Sequence, residues 1–286
     1  MWIADNWKDY ELIDASSGER LERWGDFILI RPDPQIIWKS PHASLLWKKA
    51  HARYSRSETG GGHWNENTLP ESWTIRYGEL TFCIRPMGFK HTGLFPEQSV
   101  NWDWFASLIR GANRSVKVLN LFAYTGGATV ACAHAGASVV HVDAAKGMVA
   151  QAKENAALSG LQNAPIRYIV DDCLKFVERE IRRGNTYDGI IMDPASYGRG
   201  PNKEVWKLED CIDELVSKSA SLLSDDPLFF LINSYTTGLS PLTMQYILRQ
   251  QVQSRFGGHL ESGELALPVT ASQGLLPCGA SSRWFK

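Results

Sequence analysis

The chain has 286 residues, of which 44% are hydrophobic and 21% are charged, a balance typical of globular proteins that excludes disordered and collagen-like chains. Its formal net charge of -1 excludes the strongly basic field of nonspecific nucleic-acid binders, so a nucleic-acid substrate requires a local basic patch. The amino terminus has charges and no apolar run, and the five cysteines never occur as CxxC. We therefore expect a cytoplasmic protein without signal peptide, membrane span, disulfide framework or zinc site.

The first ninety residues predict a small antiparallel β domain. Short β-type runs such as YELIDA and FILIRP alternate with turn residues. The runs SWTIRY and LTFCIRP predict a hairpin, because Gly78 between them can adopt the positive φ of a tight turn. The polar, glycine-rich stretch 57–67 is expected to be a mobile loop.

Tryptophan is concentrated in the first part of the chain, with nine of the eleven in the first 104 residues. Either these rings supply the buried area of a thin domain, or some of them act as stacking platforms for a substrate. Trp38, Trp47 and Trp64 are the rings that best distinguish the two interpretations.

From residue 101 onward the pattern alternates between helices and strands. After a helix over 101–112 come the strands VKVLNLF, SVVHVD, IRYIV, YDGIIMD and LFFLINS, separated by helical segments. Five such alternations predict a parallel sheet with right-handed crossovers and helices on both faces. A helix near 242–252 and two final strands, expected to add an antiparallel edge, complete a doubly wound Rossmann-like α/β fold. The predicted domains are 1–90, for substrate recognition, and 91–286.

The turn after the first of these strands is where a doubly wound sheet binds its ligand. It contains neither GxxxxGK[ST] nor GxGxxG, the two motifs that accommodate phosphate chains, but it keeps Gly126 and Gly127. A ligand with a ribose and no phosphate chain fits better, and S-adenosylmethionine is the common one. Tight packing of a helix on the sheet is the alternative explanation of the two glycines.

Acidic residues stand at the ends of the next three strands. Asp143 lies 17 residues after Gly126, where a carboxylate can accept both ribose hydroxyls. At the end of the third strand, a carboxylate of the Asp171-Asp172-Cys173 run can accept from the adenine amine, and the next backbone N–H can donate to the ring. Asp193 ends the fourth strand. One such acid is usually a helix cap, but the ordered set predicts a cofactor site.

Five segments together resemble a known family: HTGLFPEQ, NLFAYTGG, VVHVD, YIVDDCLKF and YDGIIMDPASYGRG. It is a family of class I S-adenosylmethionine-dependent methyltransferases whose known members methylate 23S rRNA, at cytosine C5 or at guanine nitrogens. The resemblance covers about residues 85–240. The β domain before it is similar to the family's N-terminal extension, without the additional RNA-binding module that many members carry.

The resemblance implies a cofactor-binding role for ten residues. Phe122, Ala123, Thr125 and Gly126 would surround the methionine part of the cofactor. Asp143 with Ala144 would hold the ribose, Asp172 with Cys173 the adenine, and Asp193 would lie at the reacting end. The HTGLFPEQ segment would cover the cofactor through Gln98, unless that segment is only an interdomain linker.

The resemblance also implies the catalytic residues. The run from Asp193 to Tyr197 resembles the D-P-P-x-F/Y motif, in which the Asp193 carboxylate and the Pro194 carbonyl accept the two N–H bonds of an exocyclic amine. Tyr197 would then stack on the base. Ala195 replaces the second proline of the motif, and we expect this replacement to loosen the loop.

The resemblance also separates nitrogen from carbon methylation. In the cytosine-methylating relatives a cysteine just after the fifth strand adds to the pyrimidine ring as a thiolate. This chain has Asn233-Ser234-Tyr235 there, so N-methylation is favoured over C5.

Basic and aromatic residues interleave in two stretches, a pattern that suits either phosphate contacts with base stacking or a solvated face. The basic residues are Lys39, Lys48, Lys49, Arg53, Arg56, Arg199, Lys203 and Lys207. The sequence therefore predicts an S-adenosylmethionine-dependent methyltransferase acting on structured RNA such as 23S rRNA, with no metal, because no histidine spacing suits one. A small-molecule methyltransferase and a catalytically silent cofactor- or RNA-binding module are the alternatives.

Overall fold

The computed structural model describes residues 1–57, 61–65, 67–88, 90–199, 205–236 and 238–286. Their contacts divide the chain into two compact units. The N-terminal unit comprises Ile3–Ser99 and Ala266–Pro277, and the C-terminal unit comprises Met1–Trp2, Val100–Leu265 and Cys278–Lys286. This division lies at residue 99 rather than 90, and part of the last hairpin belongs to the N-terminal unit. The assignment of substrate recognition to residues 1–90 stays a prediction.

The N-terminal unit is built from short strands, as its alternation of β-type runs and turns predicts. Its segment of the chain holds β1 (Trp2–Ile3), β2 (Tyr10–Ser16), β3 (Glu19–Trp24), β4 (Phe27–Pro32), β5 (Ala52–Arg56), β6 (Gly62–Asn65), β7 (Trp73–Tyr77) and β8 (Leu80–Ile84), with 3-10 turns at Leu45–Lys48 and Pro96–Gln98. Neighbouring strands from β2 to β6 pair antiparallel, except that β4 and β5 are parallel. The predicted hairpin is β7–β8, with Gly78 at φ +56° in its turn.

The expectation of a loop over 57–67 is wrong for part of that stretch, because Gly62–Asn65 forms β6 and pairs with β5. Two contacts of Trp64 hold this strand: its indole donates to the Met87 carbonyl at 2.8 Å, and its ring packs edge-on against Tyr54. Residues 58–60 and 66 lie outside the described residues.

The interior of the N-terminal unit contains a buried ion pair as well as apolar side chains. Arg31 donates two hydrogen bonds to the Glu22 carboxylate, at 2.6 and 2.7 Å, and the Tyr10 hydroxyl donates a third at 2.8 Å. Burial alone would raise the pKa of Glu22, but the Arg31 and Arg20 guanidinium groups and the Tyr10 hydroxyl together outweigh it, and the pKa lies below its ordinary value. The packing of β2, β3 and β4 therefore depends on a charged pair.

The C-terminal unit alternates helices and strands as predicted. Its helices are α1 (Ser99–Gly111), α2 (Gly127–His134), α3 (Lys146–Leu158), α4 (Cys173–Arg183), α5 (Leu208–Ala220), α6 (Pro241–Leu248) and α7 (Ser254–Phe256). Its strands are β9 (Lys117–Leu121), β10 (Ser138–Asp143), β11 (Ile166–Val170), β12 (Gly189–Met192), β13 (Tyr197–Arg199), β14 (Val205–Lys207), β15 (Phe229–Ser234), and the two long strands β16 (His259–Val269) and β17 (Gly274–Phe285). A π-helical turn, Arg249–Gln253, interrupts the predicted helix over 242–252.

The sheet of this unit has the order β11-β10-β9-β12-β15-β17-β16. The first five strands are parallel, and β17 runs antiparallel to β15. Leu121 is in register with both Val142 and Met192, so β9, β10 and β12 end at the same edge. The doubly wound fold is confirmed, and this edge brings together the acids that end the strands. Among the described residues, no helix is long and apolar enough to span a membrane.

Candidate active site

The loop after β9 has an unusual backbone. Phe122, Tyr124 and Gly126 all have positive φ, at +55°, +49° and +81°. Residues with a side chain seldom adopt this conformation unless their surroundings hold it. Here the Phe122 N–H donates to the Cys173 sulfur at 3.2 Å, and the Tyr124 N–H donates to Asp143 Oδ2 at 2.8 Å. The loop is therefore fixed by the end of β10 and the start of α4.

Gly126 lies directly against α3. A Cβ placed on it would lie 2.8 Å from Ala152 Cβ and 3.2 Å from Ala152 Cα, too close for any real side chain. The Asn155 amide, also on α3, donates to the Thr125 carbonyl at 2.8 Å. Packing alone thus explains why position 126 is glycine, as the alternative interpretation of the sequence held. It also brings the loop close to the helix, with Ala123 and Thr125 buried beside it.

Asp143 has the hydrogen-bonding capacity that a ribose would need. Its Oδ2 accepts from Tyr124 N–H and its Oδ1 from Ala145 N–H, both at 2.8 Å. Each carboxylate oxygen has two acceptor positions, so each retains one for a hydroxyl. The carboxylate is half-buried, and Ala144 next to it is exposed. These features fit a ligand diol held against a rigidly positioned acid.

Asp172 and Cys173 begin α4. Asp172 Oδ1 accepts from Lys175 N–H at 2.9 Å and so caps the helix, while the rest of the side chain is exposed. Cys173 is buried, and its thiol lies against the backbone of Phe122 and Val142. Burial raises the pKa of this thiol, so it is not a nucleophile at neutral pH. An adenine contact of Cys173 would have to come from its backbone.

Asp193 follows β12 and is held by the next strand. Its Oδ1 accepts from the side-chain amide of Asn233, the fifth residue of β15, at 2.8 Å. Pro194 is buried behind it. Asn233 begins the Asn233-Ser234-Tyr235 run, where the resemblance implies that a C5-methylating enzyme would have its cysteine. This run has no cysteine, and Asn233, still within β15, orients an acid.

Two hydrogen bonds hold the loop from Asp193 to Tyr197, and the loosening expected from Ala195 stays a prediction. The Trp206 indole donates to the Ala195 carbonyl at 2.7 Å, and the Thr236 hydroxyl donates to Ser196 Oγ at 2.7 Å. The Trp206 ring also lies 5.8 Å from that of Phe122, which links this loop to the one after β9. The sequence analysis does not single out Trp206. The signal that could have indicated a role for it is its place between two basic residues, Lys203 and Lys207.

Tyr197 and Gln98 occupy different surroundings. Tyr197 is 52% exposed and begins β13, which pairs with β14 in a short hairpin. Residues 200–204 between the two strands, with Lys203, lie outside the described residues. Gln98 ends the 3-10 turn Pro96–Gln98 of the N-terminal unit, and its cofactor contact stays a prediction.

None of the five cysteines is placed as a nucleophile. All are free thiols; Cys83, Cys132, Cys173 and Cys278 are buried and Cys211 is half-buried on α5. Burial raises the pKa of the Cys132 thiol, as it does for Cys173. Within the described part of the chain, no three His, Cys, Asp or Glu side chains cluster as metal ligands do.

Comparison with known proteins agrees with this geometry. The family model of the S-adenosylmethionine-dependent methyltransferases matches residues 43–228. The chain belongs to this family. The methyltransferase is 37% identical to a methyltransferase of that kind from Agrobacterium tumefaciens whose crystal structure is solved, with a TM-score of 0.93 over 99% of this chain and 92% of the other. The cofactor and the enzyme class expected from the sequence are confirmed.

Other relatives are more distant or much longer. The ribosomal RNA large subunit methyltransferase K/L of Shewanella frigidimarina is 34% identical over 153 residues, which is 53% of this chain. Those residues are only 20% of that protein, so the methyltransferase matches about a fifth of the curated relative's length. SMU.776, solved in complex with SAH, is 20% identical with a TM-score of 0.71 over 98% of this chain and 76% of the other, and shows the shared fold.

Proposed function

We propose that this methyltransferase methylates an exocyclic nitrogen of a nucleotide in structured RNA. The observation that carries the proposal is the hydrogen bond from Asn233 to Asp193, by which an amide orients the acid at the end of β12. The Asn233-Ser234-Tyr235 run that contains this amide has no thiol for C5 chemistry. The buried state of Cys173 supports the same choice, because the thiol at this edge of the sheet is held protonated by its surroundings.

Different residues at the end of β9 and of its neighbouring strands would bind different parts of the cofactor. Phe122, Ala123, Thr125 and Gly126 would hold the methionine part of S-adenosylmethionine, Asp143 with Ala144 the ribose, and Asp172 with the Cys173 backbone the adenine. When bound, the cofactor supplies an electrophilic methyl group on a sulfonium. The fixed loop and the buried surroundings then serve to orient the acceptor and keep water away.

The role of Asp193 is to orient the acceptor amine. Its carboxylate and the Pro194 carbonyl accept the two N–H bonds, which turns the nitrogen lone pair toward the methyl group. As the new N–C bond forms, the nitrogen becomes positive and gives up one proton, which the carboxylate is placed to accept. Tyr197, half-exposed at the start of β13, stacks on the base.

RNA as the acceptor is supported by an exposed segment of the N-terminal unit. The segment 37–49 exposes Ile37, by 86%, and Trp38, by 38%, together with the ammonium groups of Lys39, Lys48 and Lys49. An exposed ring with cations in the same segment suits stacking and phosphate contacts. Trp47 takes no part, because it is buried and its indole donates to Asp14. The name of the Shewanella frigidimarina relative points to RNA as well, and an rRNA acceptor implies the cytoplasm.

The formal net charge of -1 favours a second candidate, a small-molecule acceptor. Incubation with labelled S-adenosylmethionine and separate RNA, protein and metabolite fractions distinguishes the two. We expect label in RNA as an N-methylated nucleoside. RNA affinity should fall steeply with salt, because bound phosphates release counterions. Label found only in metabolites would refute RNA as the acceptor. Label recovered as 5-methylcytidine would refute nitrogen as the methylated atom.

Asp193→Asn tests the catalytic assignment. The variant keeps the shape and loses the charge, so we expect methyl transfer to fall about 100-fold or more while cofactor affinity changes little. Asp225→Asn, an exposed acid on the same unit, is the matched control and should have no effect. Unchanged transfer in Asp193→Asn would contradict the assignment.

A further inference from the structure

A line of buried polar side chains reaches Asp193 from β17, beginning with a cation. Arg283 donates to Asn101 Oδ1 at 2.7 and 3.0 Å, and Asn101 Nδ2 donates to Ser281 Oγ at 3.0 Å. Ser281 donates to Asn233 Oδ1 at 2.9 Å, and Asn233 Nδ2 donates to Asp193 Oδ1 at 2.8 Å. Of these residues, the four behind Asp193 are each at most 3% exposed. We call this line the Arg283 relay.

The direction of every hydrogen bond in the relay follows from its first member. A guanidinium can only donate, whereas a hydroxyl donates and accepts, and an amide presents either its oxygen or its nitrogen. Because Arg283 donates to Asn101, the oxygen of that amide faces the arginine and its nitrogen faces Ser281. Ser281 then donates onward, which leaves the nitrogen of Asn233 facing Asp193. At the other end the ionised Asp193 carboxylate can only accept and favours the same direction for Asn233. Without the arginine, the Asn101 amide could turn over and Ser281 would no longer be directed to donate to Asn233.

Arg283 is itself held firmly in place. Its guanidinium lies 3.9 Å from the ring centroid of Trp2 and 4.9 Å from that of Trp104, and its Nη2 also donates to the Val100 carbonyl at 3.0 Å. Burial lowers the pKa of Arg283 to about 10, and Glu261 acts in the opposite direction. The side chain therefore stays protonated, and a pure donor, at neutral pH.

We propose that Arg283 is a positioning residue for Asp193, acting through Asn101, Ser281 and Asn233 to keep an N–H directed at the carboxylate. With Asn233 reversed, an amide oxygen would face the carboxylate, which would favour the protonated form and disturb its orientation. The catalytic consequence rests on the proposed function, in which Asp193 receives the acceptor amine. The geometric consequence, the state of the Asp193 carboxyl, can be measured without any acceptor.

The test is a titration of Asp193 by carbon-13 NMR, in protein labelled at the aspartate carboxyl and assigned with Asp193→Asn. Ser281→Ala breaks the relay, and Ser282→Ala is the matched control. Ser282 is the next residue on β17, equally buried, and its hydroxyl has no hydrogen-bond partner among the described residues. We expect the titration midpoint of Asp193 in Ser281→Ala to lie about one pH unit or more above the midpoint in the unchanged protein. A shift of this size corresponds to loss of the hydrogen bond from Asn233 to the Asp193 carboxylate. Ser282→Ala should leave it unchanged.

Arg283→Met removes the donors while filling the space between the rings, and Arg283→Lys restores a donor-only cation. We expect Arg283→Met to raise the midpoint and Arg283→Lys to return it toward that of the unchanged chain. In the double variant Ser281→Ala with Arg283→Met, the two effects should not add, because the relay is already broken. If Arg283→Met does not fold, Ser281→Ala and its control still decide.

Two outcomes overturn the proposal: equal midpoints in Ser281→Ala and Ser282→Ala, or additive shifts in the double variant. Its failure is distinguishable from failure of the proposed function. Methyl transfer that survives Asp193→Asn removes the catalytic role of Asp193 but leaves the relay intact. If Asp193→Asn abolishes methyl transfer while Ser281→Ala and Ser282→Ala have the same titration midpoint, the proposed function stands and the Arg283 relay is refuted.

Discussion

Replacing Gly126 by alanine tests whether the cofactor loop is shaped by contact with α3. Two costs are expected. The φ of +81° penalises a residue with a Cβ by about 1–2 kcal/mol. The new Cβ, 2.8 Å from Ala152 Cβ, forces the loop or the helix to move, an overpacking cost of about 1–3 kcal/mol. We therefore expect Gly126→Ala to destabilise the protein by about 2–5 kcal/mol in all.

Gly160→Ala separates the two costs. Gly160 has a similar φ of +74°, but a Cβ there has no atom within 4 Å, so only the conformational cost of about 1–2 kcal/mol applies. Ala152→Gly, combined with Gly126→Ala, should recover the steric cost and give a coupling energy of about 1–3 kcal/mol. The assay is urea unfolding followed by circular dichroism. Equal destabilisation by Gly126→Ala and Gly160→Ala, with no coupling to Ala152, would refute the reasoning.

Two further predictions concern the buried groups. Glu22 has a lowered pKa, so its contribution to stability is present above the ordinary glutamate pKa, about 4.3, and is lost as the pH falls through the folded value. The melting temperature of the unchanged protein should therefore fall as the pH is lowered from 7 to 3. Glu22→Gln leaves Arg31 buried without its carboxylate and should be about 3–5 kcal/mol less stable at pH 7, with a melting temperature that depends less on acid. Equal acid sensitivity of the two proteins would contradict the role of the ion pair. Iodoacetamide applied to the folded protein at pH 8 should label Cys211, the one half-buried cysteine, and leave Cys173 unlabelled, which peptide mass spectrometry can measure. Rapid labelling of Cys173 would contradict its assignment as a packed thiol.

The sequence predicts the C-terminal unit well, because its signals are local. Each parallel strand is a short apolar run, and three of them, β10, β11 and β12, end at or just before an acid. Strand ends must meet at one edge of a parallel sheet. The positions of Asp143, Asp172 and Asp193 follow from that pattern without any knowledge of distances. The family resemblance then supplies the roles that spacing alone leaves open.

The features that sequence reasoning missed depend on contacts between distant residues. Asn233 and Ser281 read as ordinary strand residues, and only the pairing of β15 with β17 places them side by side. Residues 266–277 join the N-terminal unit through contacts such as the pairing of Val269 with Leu12, which no local pattern announces.

The place of β17 in the sheet has a consequence for synthesis of the chain. Arg283 and Ser281 leave the ribosome about 180 residues after Asn101, the partner they bind. Until then β15 presents an unpaired edge, and an exposed edge of apolar residues such as Phe229–Ser234 is a template for pairing with other chains. Aggregation of nascent chains should therefore be greatest when translation pauses between residues 234 and 274, and should cease once β17 has been added.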